Sequence, residues 1–221
     1  MNTKERAACI LHELQNTFSL SQSADSSRMP FRTLIRTVLS QATADVTSDR
    51  AFQNLSERFP ITPTVLANAD AKEIEEAIRV AGLYRNKSKA IKNLSQVILD
   101  QFDGALDFIY TLPVEEARRK LVGLPGVGAK TADVVLLFCT ESPVIPVDTH
   151  VNRVSRRLGL APLDGNYEEI REALQNLYQP KEYLLVHLLL ISLGRKYCMA
   201  RRILCRSCPV NTMCPSRKNS D

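Results

Sequence analysis

Residues 124–137 have the sequence LPGVGAKTADVVLL, a glycine-rich break between two apolar helical segments. Gly126 and Gly128, with Val127 between them, permit positive φ angles and a close approach to the backbone. Their N–H groups would stand at the start of the following helix, where aligned peptide dipoles favour anions. The stretch therefore predicts either a phosphate-binding turn at these three residues or a plain corner between two helices.

Lys130 falls in the first turn of the helix that follows this break. A lysine attacks a carbon atom only when it is neutral, and its ordinary pKa of about 10.4 leaves little neutral amine at pH 7. A helix N-terminus disfavours the ammonium charge, and partial burial adds to that effect. Lys130 is thus a candidate nucleophile, the alternative being a lysine that pairs with a phosphate.

Asp148 stands in PVDTH, residues 146–150, directly before another predicted helix. Aspartate is a favoured N-cap residue, so capping explains it without any chemistry. A carboxylate at this point can also take a proton or stabilise an oxocarbenium-like sugar when a glycosidic bond breaks. Both roles can hold together. His150, two residues on, is a candidate ligand or base, although a structural or DNA-contacting histidine is the favoured interpretation.

Four of the six cysteines crowd near the end of the sequence, at Cys198, Cys205, Cys208 and Cys214. Short connecting segments keep the loop-closure cost low, so the four thiolates can converge on one metal centre. Thiolates suit both zinc and an iron–sulfur cluster, and the long first gap leans weakly towards iron. Reduced surface cysteines are the plain alternative.

The same segment carries Arg201 and Arg202, which predict either a phosphate-binding basic loop or a solvated one. The remaining cysteines, Cys9 and Cys139, lie in apolar helical patterns and are expected to be buried packing residues, as are His12 and His187.

Apolar residues recur at helical spacing almost everywhere in the 221-residue chain, which predicts an all-α fold. The composition, 44% apolar and 24% charged, is ordinary for a soluble globular protein. A membrane-spanning run and a signal peptide are both absent from the sequence, so an intracellular location is expected. The net charge of +5 is compatible with a polyanionic partner without requiring one. The tail after Cys214 is expected to be disordered.

Taken together, LPGVGAKTADVVLL, VDTH and the cysteine spacing resemble the endonuclease III family of helix–hairpin–helix DNA glycosylases. The resemblance runs from about Arg28 to Cys214 and rests on three motifs in the same order. It implies an all-α fold of two lobes, with a helical barrel containing the hairpin at 23–136. The second lobe, 1–22 plus 137–221, would carry a C-terminal loop holding a 4Fe–4S cluster on the four cysteines.

The resemblance also implies residue roles. Lys130 matches the Schiff-base lysine and Asp148 the catalytic aspartate. Gln41, in VLSQAT, resembles the glutamine that fills the gap left by an extruded nucleotide, and Leu83, in AGLYRNKSKA, resembles the wedge on the opposite strand. The remaining expected DNA contacts are Gly126, Val127, Gly128, His150, Arg201 and Arg202.

Two residues depart from the family pattern. Ala129 replaces an expected basic residue, which removes one phosphate contact. Asp133, three residues beyond Lys130, either pairs with that lysine and opposes the depression of its pKa, or points away towards bound cations or solvent.

The expected function is that of a bifunctional DNA glycosylase and AP lyase, which removes damaged, chiefly oxidised, pyrimidines and cleaves the abasic site by β-elimination. Its expected partner is double-stranded DNA that carries damaged bases or abasic sites. The protein would bind this DNA as a monomer in the cytoplasm or nucleoid, and it would not associate with a membrane. The alternatives are a thymine or uracil mismatch glycosylase and a non-catalytic iron–sulfur DNA-binding module.

Overall fold

A computed structural model describes residues 2–20 and 29–217 of the chain. Within these ranges the regular structure is helical, apart from one isolated antiparallel bridge between Cys198 and Ile203. The prediction of an all-α fold is confirmed. None of the described helices is both long enough and apolar enough to cross a bilayer.

The α-helices of the described residues are, in chain order, α1 Thr3–Thr17, α2 Pro30–Ser40, α3 Asp45–Arg58, α4 Pro63–Asn68, α5 Ala71–Ala77, α6 Tyr84–Phe102, α7 Phe108–Thr111, α8 Val114–Val122, α9 Ala129–Thr140, α10 Thr149–Arg157, α11 Tyr167–Leu177 and α12 Tyr183–Lys196. Short 3-10 turns occur at Pro180–Glu182 and Asn211–Met213.

The chain divides into two compact units, one made from residues 1–25 and 141–221 and the other from 26–140. The first contains α1 and α10 to α12, and the second contains α2 to α9. The predicted lobe boundary after residue 22 lies outside the described residues, and so do the last four residues of the tail predicted to be disordered.

Helix α2 organises the unit formed by residues 26–140. Pro30 occupies its first turn, where a missing N–H costs nothing. Its buried side chains recur at helical spacing and are Phe31, Leu34, Ile35, Thr37, Val38 and Leu39. Helices α3, α6 and α9 pack against it, while α4 and α5 pack on α6. The loop that follows α2 is therefore held close to a rigid core.

Helices α8 and α9 pack together and form the hairpin that the glycine-rich stretch predicts. A buried ion pair links them, in which Arg118 Nε donates to Asp133 Oδ1 at 2.6 Å and Nη2 donates to Oδ2 at 3.3 Å. The Asp133 side chain is fully buried. The prediction that left Asp133 open to solvent was wrong on that point, because a partner on α8 draws the carboxylate inwards.

Helix α12 forms the core of the other unit, as its apolar sequence predicts. It packs against α1 and α10. Gly194 lies where α12 meets α10, and a Cβ at this position would come within 2.9 Å of His150 Nδ1. Only glycine therefore allows the observed contact between the two helices.

Two expectations from the sequence were wrong. Cys9 and His12 are exposed, because the buried face of α1 is formed by Ala7, Ile10, Leu11 and Leu14, and these two residues project from its other side. Helix α5 ends at Ala77, and the turn that follows it contributes the buried Ile78 and Ala81.

Candidate functional site

The turn between α8 and α9 presents exposed backbone at both glycines. Gly126 has φ +77°, a left-handed conformation that side chains disfavour. Val127 is buried, and its N–H donates to the Leu124 carbonyl at 3.1 Å. A Cβ at Gly128 would meet nothing within 4 Å, and its φ is not positive. The protein's own packing therefore does not require glycine at 128, and the space leaves the backbone open to another molecule.

Lys130 is the second residue of α9 and is half-buried. The Gly128 carbonyl accepts the N–H groups of Thr131 and Ala132, each at 3.0 Å, so the helix begins directly before the lysine. The amine thus belongs to the first helical turn, where backbone dipoles disfavour a cation. Asp133, on the same helix, places a negative charge nearby, and the guanidinium of Arg118 offsets part of it.

Gln41 and Leu83 lie in the loops that precede α3 and α6. The Gln41 side-chain amide donates to the Gly126 carbonyl at 3.2 Å, which joins the first loop to the hairpin turn. Leu83 has φ 58° and keeps 61% of its surface exposed. An exposed leucine with a left-handed backbone is uncommon, and such positions concentrate at functional sites.

Asp148 caps α10, as the sequence predicts, because its Oδ1 accepts the Val151 N–H at 2.7 Å. The segment before it is buried and held by side chains from α11 and α12. His187 Nδ1 contacts the Pro146 carbonyl at 3.0 Å, so this nitrogen carries the proton. The Val147 N–H donates to the Tyr167 hydroxyl at 3.3 Å. His187 therefore does more than fill space: it fixes the approach to Asp148.

His150 is half-buried and its Nδ1 accepts from Arg153 Nη2 at 3.1 Å. Arg153 also donates to the carbonyls of Gly194, at 3.1 Å, and Cys198, at 2.9 Å. The first helical turns of α10 are thereby tied to α12 and to the start of the cysteine segment. In this structure His150 takes part in that tie.

The four C-terminal cysteines are half-buried and free of disulfides. Burial, together with smaller contributions from the neighbouring Cys198, Cys214 and Cys205, raises the pKa of Cys208 to about 11. Burial likewise raises the pKa of Cys214. Mutual repulsion of this kind requires the sulfurs to lie near one another, and a bound metal would reverse it by stabilising the thiolates.

Arg157 supports the cysteine segment from α10. Its Nη1 donates to Cys198 Sγ at 3.4 Å and to the Met199 carbonyl at 2.9 Å, while its own carbonyl accepts from Cys214 Sγ at 3.4 Å. Among residues 2–20 and 29–217, no three His, Cys, Asp or Glu side chains are arranged to hold a single metal ion. A cluster of several iron atoms needs its thiolates farther apart than one ion does, so this finding concerns single-ion sites.

The predicted site residues fall into two groups, each assembled within one unit. Residues 41, 83, 126–128 and 130 belong to the unit formed by 26–140, and there the structure brings Gln41 to the hairpin turn. The other unit contains Asp148, His150, the four cysteines and the exposed Arg201 and Arg202.

Sequence reasoning missed Lys87, Thr43, Arg153 and Arg157, which hold these loops. The side chain of a charged helical residue is normally expected to be exposed to solvent, and the neighbouring sequence does not indicate which of these side chains turns inwards.

Comparisons with known proteins show the family and the fold of the chain. Residues 35–180 match the family model described as HhH-GPD superfamily base excision DNA repair protein. Endonuclease III of Sulfolobus acidocaldarius is 37% identical over 201 residues, which cover 90% of this chain and 88% of that protein. A solved structure of a trapped endonuclease III–DNA covalent intermediate, an estranged-adenine complex, has a TM-score of 0.84 and 34% identity, covering 98% of this chain and 97% of the other. A thermostable thymine-DNA glycosylase, with a TM-score of 0.77, 19% identity and coverage of 97% and 98%, shares the fold.

The two hairpin glycines should respond differently to alanine. Gly126→Ala forces a side chain into a left-handed conformation and should lower the free energy of unfolding by about 1 kcal/mol. Gly128→Ala meets no clash and should leave it unchanged or slightly raised. Urea denaturation of both variants measures the difference. Equal destabilisation by the two changes would show that Gly128 is needed for folding rather than for access to the backbone.

Proposed function

Because the chain belongs to the HhH-GPD superfamily of base excision DNA repair proteins, we propose that it is a bifunctional DNA glycosylase and AP lyase of the endonuclease III type. Its proposed substrate is double-stranded DNA that carries damaged pyrimidines, chiefly oxidised ones, or abasic sites. The observation that carries the proposal is a lysine, Lys130, half-buried in the first turn of a helix behind an open glycine turn. Serine or tyrosine at this position would not form a Schiff base.

The hairpin turn is proposed to bind the DNA backbone. Exposed N–H groups at the start of α9 present donors and a positive dipole end to a phosphate. Gly126 and Gly128 leave room for that phosphate, and the buried Val127 anchors the turn. Arg201 and Arg202, both exposed, are proposed as further phosphate contacts. These contacts carry no sequence information, which suits an enzyme that must search any sequence for damage.

Extrusion of the damaged nucleotide precedes chemistry, because its C1′ atom cannot be reached while the base is stacked. Gln41 is proposed to fill the vacated space and Leu83 to enter the duplex from the other strand. Leu83 is suited to this role because its apolar side chain is already exposed and its backbone already left-handed. Inserting it into the stack removes apolar surface from water.

Lys130 is the proposed nucleophile. Its neutral Nζ forms a bond to C1′, and the glycosidic bond breaks with its electron pair leaving on the base, which takes up a proton. After the amine loses its own proton and the sugar ring opens, a Schiff base joins Lys130 to C1′. Loss of the C2′ proton then expels the 3′ phosphate by β-elimination. The helix N-terminus contributes by disfavouring the ammonium form that cannot attack.

Asp148 is proposed to stabilise the positive charge that develops on the sugar and to accept a proton during the reaction. The cap to Val151 uses one carboxylate oxygen, Oδ1, and fixes the side-chain rotamer. The buried segment before it, held by His187 and Tyr167, fixes the backbone. A carboxylate held in this way does not have to be reoriented during the reaction.

A 4Fe–4S cluster is proposed on Cys198, Cys205, Cys208 and Cys214. Four thiols without disulfides, two of which, Cys198 and Cys214, hydrogen-bond to Arg157, are the donor set that such a cluster requires. When bound, the cluster would cross-link the segment and stabilise the loop that carries Arg201 and Arg202. The guanidinium of Arg157 would donate to a ligand sulfur and so help to neutralise thiolate charge. The proposed location is with the cellular DNA, and the proposed state is a monomer.

Lys130→Ala should abolish covalent trapping of the protein on abasic or thymine-glycol duplexes in the presence of borohydride, because the amine that forms the Schiff base is gone. Binding to the abasic duplex should persist within a few-fold, since phosphate contacts supply most of the affinity. Gel analysis of trapped complexes measures the first effect, and fluorescence anisotropy the second.

Lys72→Ala, which removes an exposed lysine on α5, serves as the matched control and should trap like the parent. Trapping that survives in the Lys130→Ala protein would refute the assignment. A parent protein that releases thymine from a guanine–thymine duplex faster than thymine glycol would instead support the mismatch-glycosylase alternative.

Asp148→Asn separates capping from chemistry, because asparagine caps a helix as well as aspartate but carries no charge. The thermal midpoint should stay within a few degrees of the parent, while single-turnover base release falls by about 100-fold or more, a typical loss for removing an acid–base group. An Asn variant as active as the parent would mean that Asp148 is only a cap.

Purified protein should show the broad visible absorption of an iron–sulfur cluster and contain about four iron atoms per chain. Cys208→Ser should lose both, whereas Cys9→Ser, which changes an exposed cysteine outside the set, should keep both. Elemental analysis decides between metals: zinc in place of iron, with no visible absorption, would contradict the cluster.

A further inference from the structure

Lys87 is a buried lysine on α6 that the proposed chemistry does not use. Only 5% of its surface is exposed. Burial lowers its pKa from the ordinary lysine value. Lysine is almost never buried to this degree unless its amine has partners. The position of this residue, four after Leu83, therefore calls for a physical reason.

Lys87 bonds through its amine to the chain on either side of Gln41, in the last turn of α2 and in the loop that follows it. Its Nζ donates to the Leu39 carbonyl at 2.7 Å and to the Thr43 hydroxyl. Its backbone N–H donates to the Leu83 carbonyl at 3.0 Å. The amine thus bonds on both sides of Gln41, and it does so from the first turn of the helix that Leu83 begins, where the backbone N–H makes an ordinary helical bond.

The two loops also lie against each other. A Cβ built on Gly82 would be 3.9 Å from the Ala42 carbonyl and 4.0 Å from Thr43 Oγ1, which is ordinary contact distance. Gln41 in turn reaches the hairpin turn through the Gly126 carbonyl. Lys87 therefore lies behind a continuous surface formed by both loops and the hairpin.

Each loop contains a residue with a strained backbone. In one loop it directly follows Gln41, and in the other it is Leu83 itself. Ala42 has φ 50° and Leu83 has φ 58°, and neither is glycine. Such a conformation costs on the order of 1 kcal/mol or more per residue and persists only where the surroundings impose it. The hydrogen bonds of Lys87 to Leu39, Thr43 and Leu83 flank both strained residues.

We propose that Lys87 is a positioning residue that fixes the spacing of the Gln41 and Leu83 loops before DNA binds, so that both side chains can enter the duplex together when a damaged base is extruded. The inference rests on the proposed function and deepens it. Extrusion costs a few kcal/mol in lost stacking and pairing, and loops that are already ordered do not add an entropic cost to it. The amine acts through the loops and contacts neither the base nor C1′.

A positioning role for Lys87 predicts different effects on two substrates that the same active site processes. A thymine-glycol nucleotide has a base that must leave the stack, whereas an abasic nucleotide has none. Loss of the loop spacing should therefore slow base release from the first much more than covalent trapping on the second. A residue that only stabilised the fold would slow both equally, through the amount of folded protein.

Lys87→Met, which keeps the aliphatic length and removes the donors, is the test variant. Its single-turnover release of thymine glycol from a duplex should fall on the order of 10- to 100-fold, the scale of loss expected when a reacting group is misplaced by about an ångström. Borohydride trapping on an abasic duplex should fall by no more than about three-fold, because little unstacking is needed there. Fluorescence of 2-aminopurine placed beside the lesion reports the extrusion step directly and should show a slower rise.

Lys92→Met is the matched control. Lys92 lies on the same helix, and its amine likewise donates to two carbonyls at a helix end, those of Ala67 in the last turn of α4 and Ala69 directly after it. Loss of these bonds should lower the thermal midpoint while leaving the ratio of the two activities as in the parent.

Thr43→Val removes only the hydroxyl partner and should change the ratio in the same direction as Lys87→Met. It keeps the test available if the Lys87→Met protein does not fold. Lys87→Arg, which restores a donor, should recover part of the ratio.

An unchanged ratio in folded Lys87→Met and in Thr43→Val would overturn the positioning role while leaving the proposed function intact. A parent protein that neither releases thymine glycol nor traps on abasic DNA would remove both.

Discussion

The loop after α2 and the cysteine segment, to both of which we assign a function, are held by buried or half-buried cations that donate to backbone carbonyls. An all-α protein leaves the last carbonyls of each helix without intrahelical partners, and those groups must find donors wherever water is excluded. Lys87 supplies them after α2, Lys92 after α4, and Arg153 and Arg157 along the cysteine segment. Arg6 does the same after α10, where it donates to the Gly159 carbonyl at 2.9 Å. Loop geometry in this fold therefore depends on the correct placement of a few long cationic side chains.

The two residues proposed to carry the chemistry depend on helix N-termini rather than on the carbonyls at helix C-termini. Lys130 and Asp148 both stand at helix N-termini, α9 for the lysine and α10 for the aspartate. The same dipole has opposite consequences for them, because it disfavours the ammonium and favours the carboxylate. A helix N-terminus is thus the common setting of the proposed nucleophile and the proposed acid–base residue. Such a setting is visible in the local sequence, so short motifs suffice to nominate both residues.

Whether a feature depends on local residues or on residues far apart in the chain decides whether it could be predicted from the sequence. The cap at Asp148 and the helix that begins directly before Lys130 follow from local rules of capping and glycine chemistry, and the hairpin follows from the family resemblance. Lys87 could not be found in this way, because its partners, Leu39 and Thr43, lie more than forty positions earlier in the chain. The same holds for Arg118, whose pairing with Asp133 decides which way that carboxylate turns. Cys9 and His12 were wrongly predicted to be buried, because the buried face of an amphipathic helix is certain only when the helices packed against it are known.

The internal use of cations changes the meaning of the charge balance. Lys and Arg exceed Asp and Glu by five in this chain. At least five cations, Arg6, Lys87, Lys92, Arg153 and Arg157, donate to backbone carbonyls rather than to carboxylates. A carbonyl satisfies the hydrogen bonds of a cation without cancelling its charge, so loops held in this way produce a basic protein even where no polyanion binds. The surplus is therefore no measure of affinity for DNA. Only groups that water can reach are available to a phosphate, and in this chain such donors are exposed at the open glycine turn and at Arg201 and Arg202.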